Sequence, residues 1–195
     1  MLPSLFLSHG APTLPLDDCP ARTFLMALGR QFRPRAILCI SAHWETDIPA
    51  VNAVTVNETI HDFGGFAEAL YRMRYPAPGS AALAGRTKEA LKAAGLPCAL
   101  DPARGLDHGA WVPLQLMYPE ADIPVVQLSL QTPMGPAYHM KLGAALSPLR
   151  EDVLIVGSGG FVHNLRTLTR WHLDAPERSE EHTSELQSRF GISYA

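Results

Sequence analysis

The chain has 195 residues, enough for one domain with a substantial core. Its 16 Lys plus Arg against 19 Asp plus Glu give a formal charge of −3, so no basic excess exists to neutralise a phosphate backbone, and nucleic acid is not an expected partner. The three cysteines, Cys19, Cys39 and Cys98, form no C-x-x-C pair; they support neither a disulfide framework nor a thiolate zinc site, and they fit a reducing compartment.

The opening Met-Leu-Pro-Ser lacks the basic and long apolar regions of a signal peptide, and no apolar run approaches the ~18 residues of a membrane span. The expectation is a soluble, cytoplasmic protein with no membrane partner. Pro3 to Ser8 is an apolar run too short for a helix and broken by Gly10-Ala11-Pro12, which predicts a buried strand ending at His9. Asp17-Asp18-Cys19-Pro20 then offers an N-cap with proline at the first turn, and Phe24, Leu25, Leu28 and Phe32 recur at helical spacing up to Arg33-Pro34. Ala36 to Ser41 reads as a central parallel strand covered on both faces, closing a right-handed βαβ unit.

Val51 to Val56 is a further strand, and 59–66, with Gly64-Gly65, is a loop. Ser80 to Ala94 predicts a helix capped by Ser80 and stopped by Gly95 and Pro97. Gly105 to Tyr118 starts as a loop and turns helical from Trp111. Ile123 to Leu130 is a strand, Pro136 to Leu149 a helix, and Val153 to Val156 the last strand. The alternation predicts one α/β domain: a doubly wound, mostly parallel or mixed central sheet flanked by helices.

The histidines carry the chemistry. Ligands of open α/β sheets bind outside the carboxyl ends of the strands, where His9, His43 and, after Gly157-Ser158-Gly159-Gly160, His163 are delivered. A lone histidine on such a loop is more often structural than a ligand, but the repeated strand, serine, histidine context argues for convergence. Neutral imidazoles suit zinc and iron(II), and two of them with one further ligand leave positions open for small molecules. Glu45 is the local carboxylate, and its place after His43-Trp44 aims it away from an ion or into an outer shell. His108, flanked by Asp107 and Gly109, is either a site residue or an incidental member of a capped helix start. The segment His61-Asp62-Phe63-Gly64-Gly65-Phe66 is either a wall over a flat ring or a surface turn with its aromatics tucked in, and His61 itself fits the turn better. His139, His172 and His182 are assigned no function. Ser8, Ser41 and Ser158 raise a serine-hydrolase reading, which the absence of a Gly-x-Ser-x-Gly elbow disfavours.

Taken together, Ser8-His9-Gly10-Ala11-Pro12, Ser41-Ala42-His43-Trp44-Glu45, His61-Asp62-Phe63, Gly105-Leu106-Asp107-His108-Gly109-Ala110-Trp111-Val112-Pro113-Leu114, Tyr118 to Val125 and Gly157-Ser158-Gly159 resemble the class III extradiol ring-cleavage dioxygenases. The likeness is strongest to their 4,5-DOPA dioxygenase-like branch and runs from Leu2 to about Asn164. It implies a metal-dependent enzyme that opens the ring of catechols such as DOPA with O2, working as a monomer or homo-oligomer. It implies one Fe(II) or Zn(II) ion per chain held by His9 and His43, with His163 as a further ligand or as the acid/base. It also implies that His108 lines the substrate pocket and hydrogen-bonds substrate or oxygen. The rival readings are a zinc hydrolase built on the same histidines and a non-catalytic binding module on the same fold; retention of His9, His43, His108 and His163 favours an enzyme.

The resemblance further implies one more histidine ligand in a C-terminal Glu-His-Phe segment, for which Glu181-His182-Thr183 is no substitute. From about Arg178 the wording resembles a translated adapter sequence, and Ala175 to Ser188 has too few apolar residues to bury a face. The expected organisation is a catalytic domain over 1–177, incomplete at its C-terminus, and a non-native disordered tail over 178–195. Weak metal binding and poor activity are then expected of the 195-residue chain.

Overall fold

A computed structural model describes residues 1–160, and the features below concern those residues. They form a six-stranded sheet in the order β1-β6-β2-β5-β3-β4: β1 is Ser4–Ser8, β2 Ala36–Glu45, β3 Ala50–Asn52, β4 Ala99–Asp101, β5 Val125–Leu130 and β6 Val153–Gly159. Every described pairing is parallel except the antiparallel contact of β3 with β5. The helices are α1 Pro20–Gly29, α2 Glu68–Tyr71, α3 Ala81–Ala93, α4 His108–Met117 and α5 Gly135–Leu146.

The strands are apolar on both sides because both sides are covered. Ile37, Cys39, Val125, Leu154 and Val156 pack with Leu25 of α1 and with Trp111, Val112 and Leu114 of α4. The alternate residues Leu38, Val126, Leu128, Val153 and Ile155 pack with Leu83 and Leu91 of α3 and Leu142 and Leu146 of α5. The period-two switch between neighbours is what sorts one continuous apolar run into two cores. The expected doubly wound, mixed α/β sheet is therefore present.

Several boundaries differ from the sequence reading. β1 and β2 are not neighbours, because β6 lies between them and pairs with both. β2 runs four residues past Ser41 to Glu45, so His43 sits on the strand rather than after it. Trp44 is buried there, and the Arg104 guanidinium lies over its ring, 5.2 Å from the centroid, which gives the polar end of the strand a packed partner. β6 likewise continues through Gly157-Ser158-Gly159, read from sequence as a loop. α4 begins at His108, three residues before Trp111, because Asp107 caps it by accepting from the Ala110 N–H. β3 is shorter than 51–56, β4 was not foreseen, α1 ends at Gly29, and α5 gives way at Ser147 to a short 3-10 helix. Ser80 caps α3 as expected, accepting from Leu83 N–H, and Gly95 follows it at a φ of 72°.

Candidate metal centre

Three histidines meet at the carboxyl end of the sheet. His9 follows β1, His43 comes from the end of β2, and His108 is the first residue of α4. The Nε2 atoms of His9 and His43 lie 3.0 Å apart. The His108 ring stands 4.0 Å from that of His43 and 5.3 Å from that of His9, centroid to centroid. One ring nitrogen from each of the three falls within 4.8 Å of the others. His9 and His108 are buried and His43 half-buried. Closely spaced imidazole nitrogens of this kind are the donor set that zinc or ferrous iron takes, so the residues present fit such an ion.

The imidazoles of His9 and His108 are held from behind, and His43 is held through its backbone. The Nδ1 of His9 is 2.9 Å from Ser158 Oγ, and Ser158 in turn donates to the Gly109 carbonyl at 2.5 Å. His108 places both its backbone N–H and its Nδ1 2.9 Å from Asp62 Oδ1, while Asp62 Oδ2 is 3.9 Å from His43 Nδ1. Desolvation pushes the Asp62 carboxyl up, but the ring and backbone hydrogen bonds from His108, with its charge, outweigh this and hold it down to about 2. The His43 backbone N–H donates to Ser41 Oγ, which donates at 2.6 Å to the fully buried carboxylate of Asp107. Asp107 also accepts from Gln127 Nε2, Arg104 Nη2 and the Ala110 N–H, so its buried charge is paired and saturated with donors.

Gly109 makes the crowding possible. A Cβ there would lie 2.4 Å from Ser41 Oγ, 2.9 Å from His43 Cδ2 and 3.2 Å from His9 Cε1. Beside the histidines stands an aromatic wall. Phe63 is edge-on to His108 at 5.7 Å and packs near Phe66, Tyr71 and Trp111. Trp111 is tied down through its indole N–H to the Ile60 carbonyl.

Of the residues singled out from sequence, the fold brings His9, His43 and His108 together; His163 lies outside the described residues. His108, expected beside the pocket, is close enough to the other two to offer a third donor. His61 bonds Met73 O and packs on Trp111, the behaviour of a structural turn residue. His139 takes up both ring nitrogens locally, with Gly135 O and the Gln131 N–H. Glu45 is exposed. Asp62, which the sequence offers only as a member of the His61 to Phe66 wall or turn and of the resembling motifs, supports His108. Ser158 and Ser41 serve not as nucleophiles but as supports, Ser158 at the His9 ring and Ser41 at the His43 backbone N–H.

A mixed α/β sheet with an imidazole cluster at its carboxyl end defines a class: single-sheet proteins whose strand ends gather donors that could hold a small divalent ion. The chain matches, over residues 4–190, the family described as the catalytic LigB subunit of aromatic ring-opening dioxygenase, and it belongs to that family. It is 52% identical over 166 residues to a Beta vulgaris 4,5-DOPA dioxygenase extradiol, covering 82% of this chain and 62% of that one. It is 48% identical over 177 residues to an Escherichia coli K12 protein of the same name, covering 89% and 64%. The crystal structure of an uncharacterized Escherichia coli K12 protein superposes with a TM-score of 0.79 at 38% identity, covering 100% of this chain and 75% of that one. The chain thus spans less than two thirds of the length of these two curated relatives. Among the described residues no helix is long and apolar enough to cross a membrane.

Proposed function

We propose that this chain is the greater part of a non-haem, metal-dependent extradiol dioxygenase that opens catechols such as DOPA with O2. The observation that carries the reading is the cluster itself: two Nε2 atoms 3.0 Å apart, with a third imidazole against them, at the end of the sheet where α/β proteins bind ligands. His9 and His43 would hold one ion, with His163 as a further ligand or as the acid/base. Fe(II) there would supply Lewis acidity and redox chemistry toward a catechol and dioxygen, whereas Zn(II) would supply Lewis acidity alone.

The chain's own residues supply the rest. His108, gripped at Nδ1 by Asp62, presents Nε2 to the site, suited to hydrogen-bond a substrate hydroxyl or to take its proton. The half-buried Phe63, edge-on to His108 and backed by the fully buried Trp111, offers an apolar face for an aromatic ring beside that nitrogen. The names of the relatives, 4,5-DOPA dioxygenase extradiol, support a catechol as the ring.

The second reading is hydrolytic. Three histidines are also the donor set of zinc enzymes that activate water. The test separates the two: load the chain, and a chimera completed with the remaining third of the Escherichia coli relative, with Fe(II) without air, then add catechols and O2. A yellow ring-opened semialdehyde with iron and oxygen is the expected product. Absence of such a product from every catechol in both proteins refutes the dioxygenase reading, and O2-independent turnover with zinc supports the hydrolase.

A further inference from the structure

α4 contains a proline where a helix ordinarily forbids one. Pro113 is the sixth residue of α4, and the Gly109 carbonyl is the acceptor that an N–H at position 113 would satisfy. Proline has no N–H, and its ring pushes away the carbonyl four residues before it. The freed Gly109 carbonyl does not go unpaired: it accepts the hydroxyl of Ser158, which arrives from the neighbouring strand β6.

That bond has a consequence two atoms further on. A serine hydroxyl has one hydrogen, and a carbonyl oxygen can only accept, so the Ser158 hydrogen is committed to Gly109. Toward His9 Nδ1, at 2.9 Å, Ser158 Oγ can therefore only accept. The hydrogen of the neutral His9 ring must then sit on Nδ1, leaving the lone pair of Nε2 facing His43.

We infer that Pro113 is a positioning residue: by vacating the Gly109 carbonyl it orients Ser158, and Ser158 fixes the tautomer in which His9 presents Nε2 to the site. A helix defect is thereby turned into control of a donor atom. The bare Gly109 Cα is part of the device, since any side chain there would strike Ser41 and the two imidazoles. The inference rests on the reading above that His9 holds an ion, yet it concerns which nitrogen does so, irrespective of the reaction.

The experiment uses the 15N-labelled chain and Zn(II) alone as probe. Long-range proton–nitrogen spectra report which ring nitrogen of His9 carries hydrogen, and titration reports Zn(II) affinity. In the unaltered chain His9 is expected in the Nδ1–H form; finding it in the Nε2–H form overturns the inference without any variant. Pro113→Ala returns an N–H to the helix and draws the carbonyl back toward the axis. It should melt no lower than the parent while losing the dominance of Nδ1–H and weakening Zn(II) binding by about 10- to 100-fold. Ser158→Ala should lose the tautomer preference outright. Zn(II) affinity within twofold of the parent in Pro113→Ala, or an unchanged tautomer in Ser158→Ala, overturns it. Failure of the ring-opening assay while these shifts occur would sink the dioxygenase reading and leave the positioning role of Pro113 intact.

Discussion

Gly109→Ala is the most informative single substitution in the described residues, because two effects of opposite sign can be separated. Alanine is a better helix former than glycine by about 1 kcal/mol, so propensity alone predicts a more stable α4. The new Cβ, however, would meet Ser41 Oγ at 2.4 Å and His43 Cδ2 at 2.9 Å. Neither neighbour is the free end of a flexible chain: Ser41 is tied to Asp107 and to the His43 backbone. Overpacking of this kind costs about 1–3 kcal/mol and giving up the two Ser41 bonds about 1 kcal/mol each, so after the propensity gain of about 1 kcal/mol a net loss of about 2–4 kcal/mol is expected. In a chain of this size each kcal/mol lowers Tm by about 2–4 °C. Displaced imidazoles should also weaken Zn(II) binding by about 10- to 100-fold. Gly143→Ala in α5, where a Cβ meets nothing within 4 Å, is the control and should raise stability by about 0.5–1 kcal/mol. Thermal melts and Zn(II) titrations of the three proteins decide the matter. A Gly109→Ala chain that melts as high as Gly143→Ala and binds zinc like the parent refutes the argument.

Two further perturbations test other parts of the fold. The Asp62 carboxyl, held at about 2 against an ordinary value near 3.9, stabilises the folded state fully above about pH 5, and that contribution of up to about 2 kcal/mol disappears as pH falls through 4 toward 2. Urea midpoints of the parent and of Asp62→Asn should converge over that range, and a constant gap between them would contradict the assignment. Gly29→Ala would drive a Cβ to 2.1 Å from the Met117 carbonyl, where α1 meets the end of α4 and no side chain can yield; a loss of about 3 kcal/mol or more is expected in denaturant melts.

What the sequence disclosed was governed by periodicity and capping. The apolar run 36–40, the largely apolar 123–130 and the capped segment 80–94 carry their structure locally, and strands at 36–45 and 125–130 and a helix at 81–93 stand there. The failures have physical causes. Gly157-Ser158-Gly159 has loop composition, yet it is strand because the Phe6 ring of β1 lies against it, 3.3 Å from where a Gly157 Cβ would be. Ser41-Ala42-His43-Trp44-Glu45 breaks the apolar run, yet it continues β2 because Trp44 finds burial under Arg104. The helix expected from Trp111 starts instead at His108, because Asp107 caps it there, and Pro113 is left inside. His9 and His43 were legible as strand-end residues. The supports from Asp62 and Ser158 were not, because they depend on tertiary proximity across 46 and 149 residues.

The placement of β6 between β1 and β2 sets the order in which this molecule can be made. β1, α1 and β2 leave the ribosome early with a gap one strand wide between them, and the strand that fills it is the last of the described residues to appear. At about 5–20 residues per second, roughly 6–23 s separate the synthesis of His43 from that of Ser158. Throughout that interval β1 and β2 lack the neighbour that β6 later provides to both, and His9 lacks its Ser158 buttress. A nascent chain stalled in this window is a template for edge-to-edge association with its neighbours on the same polysome. Slower translation of the segment between α3 and β6 should accordingly lower soluble yield, while slowing after Gly159 should not.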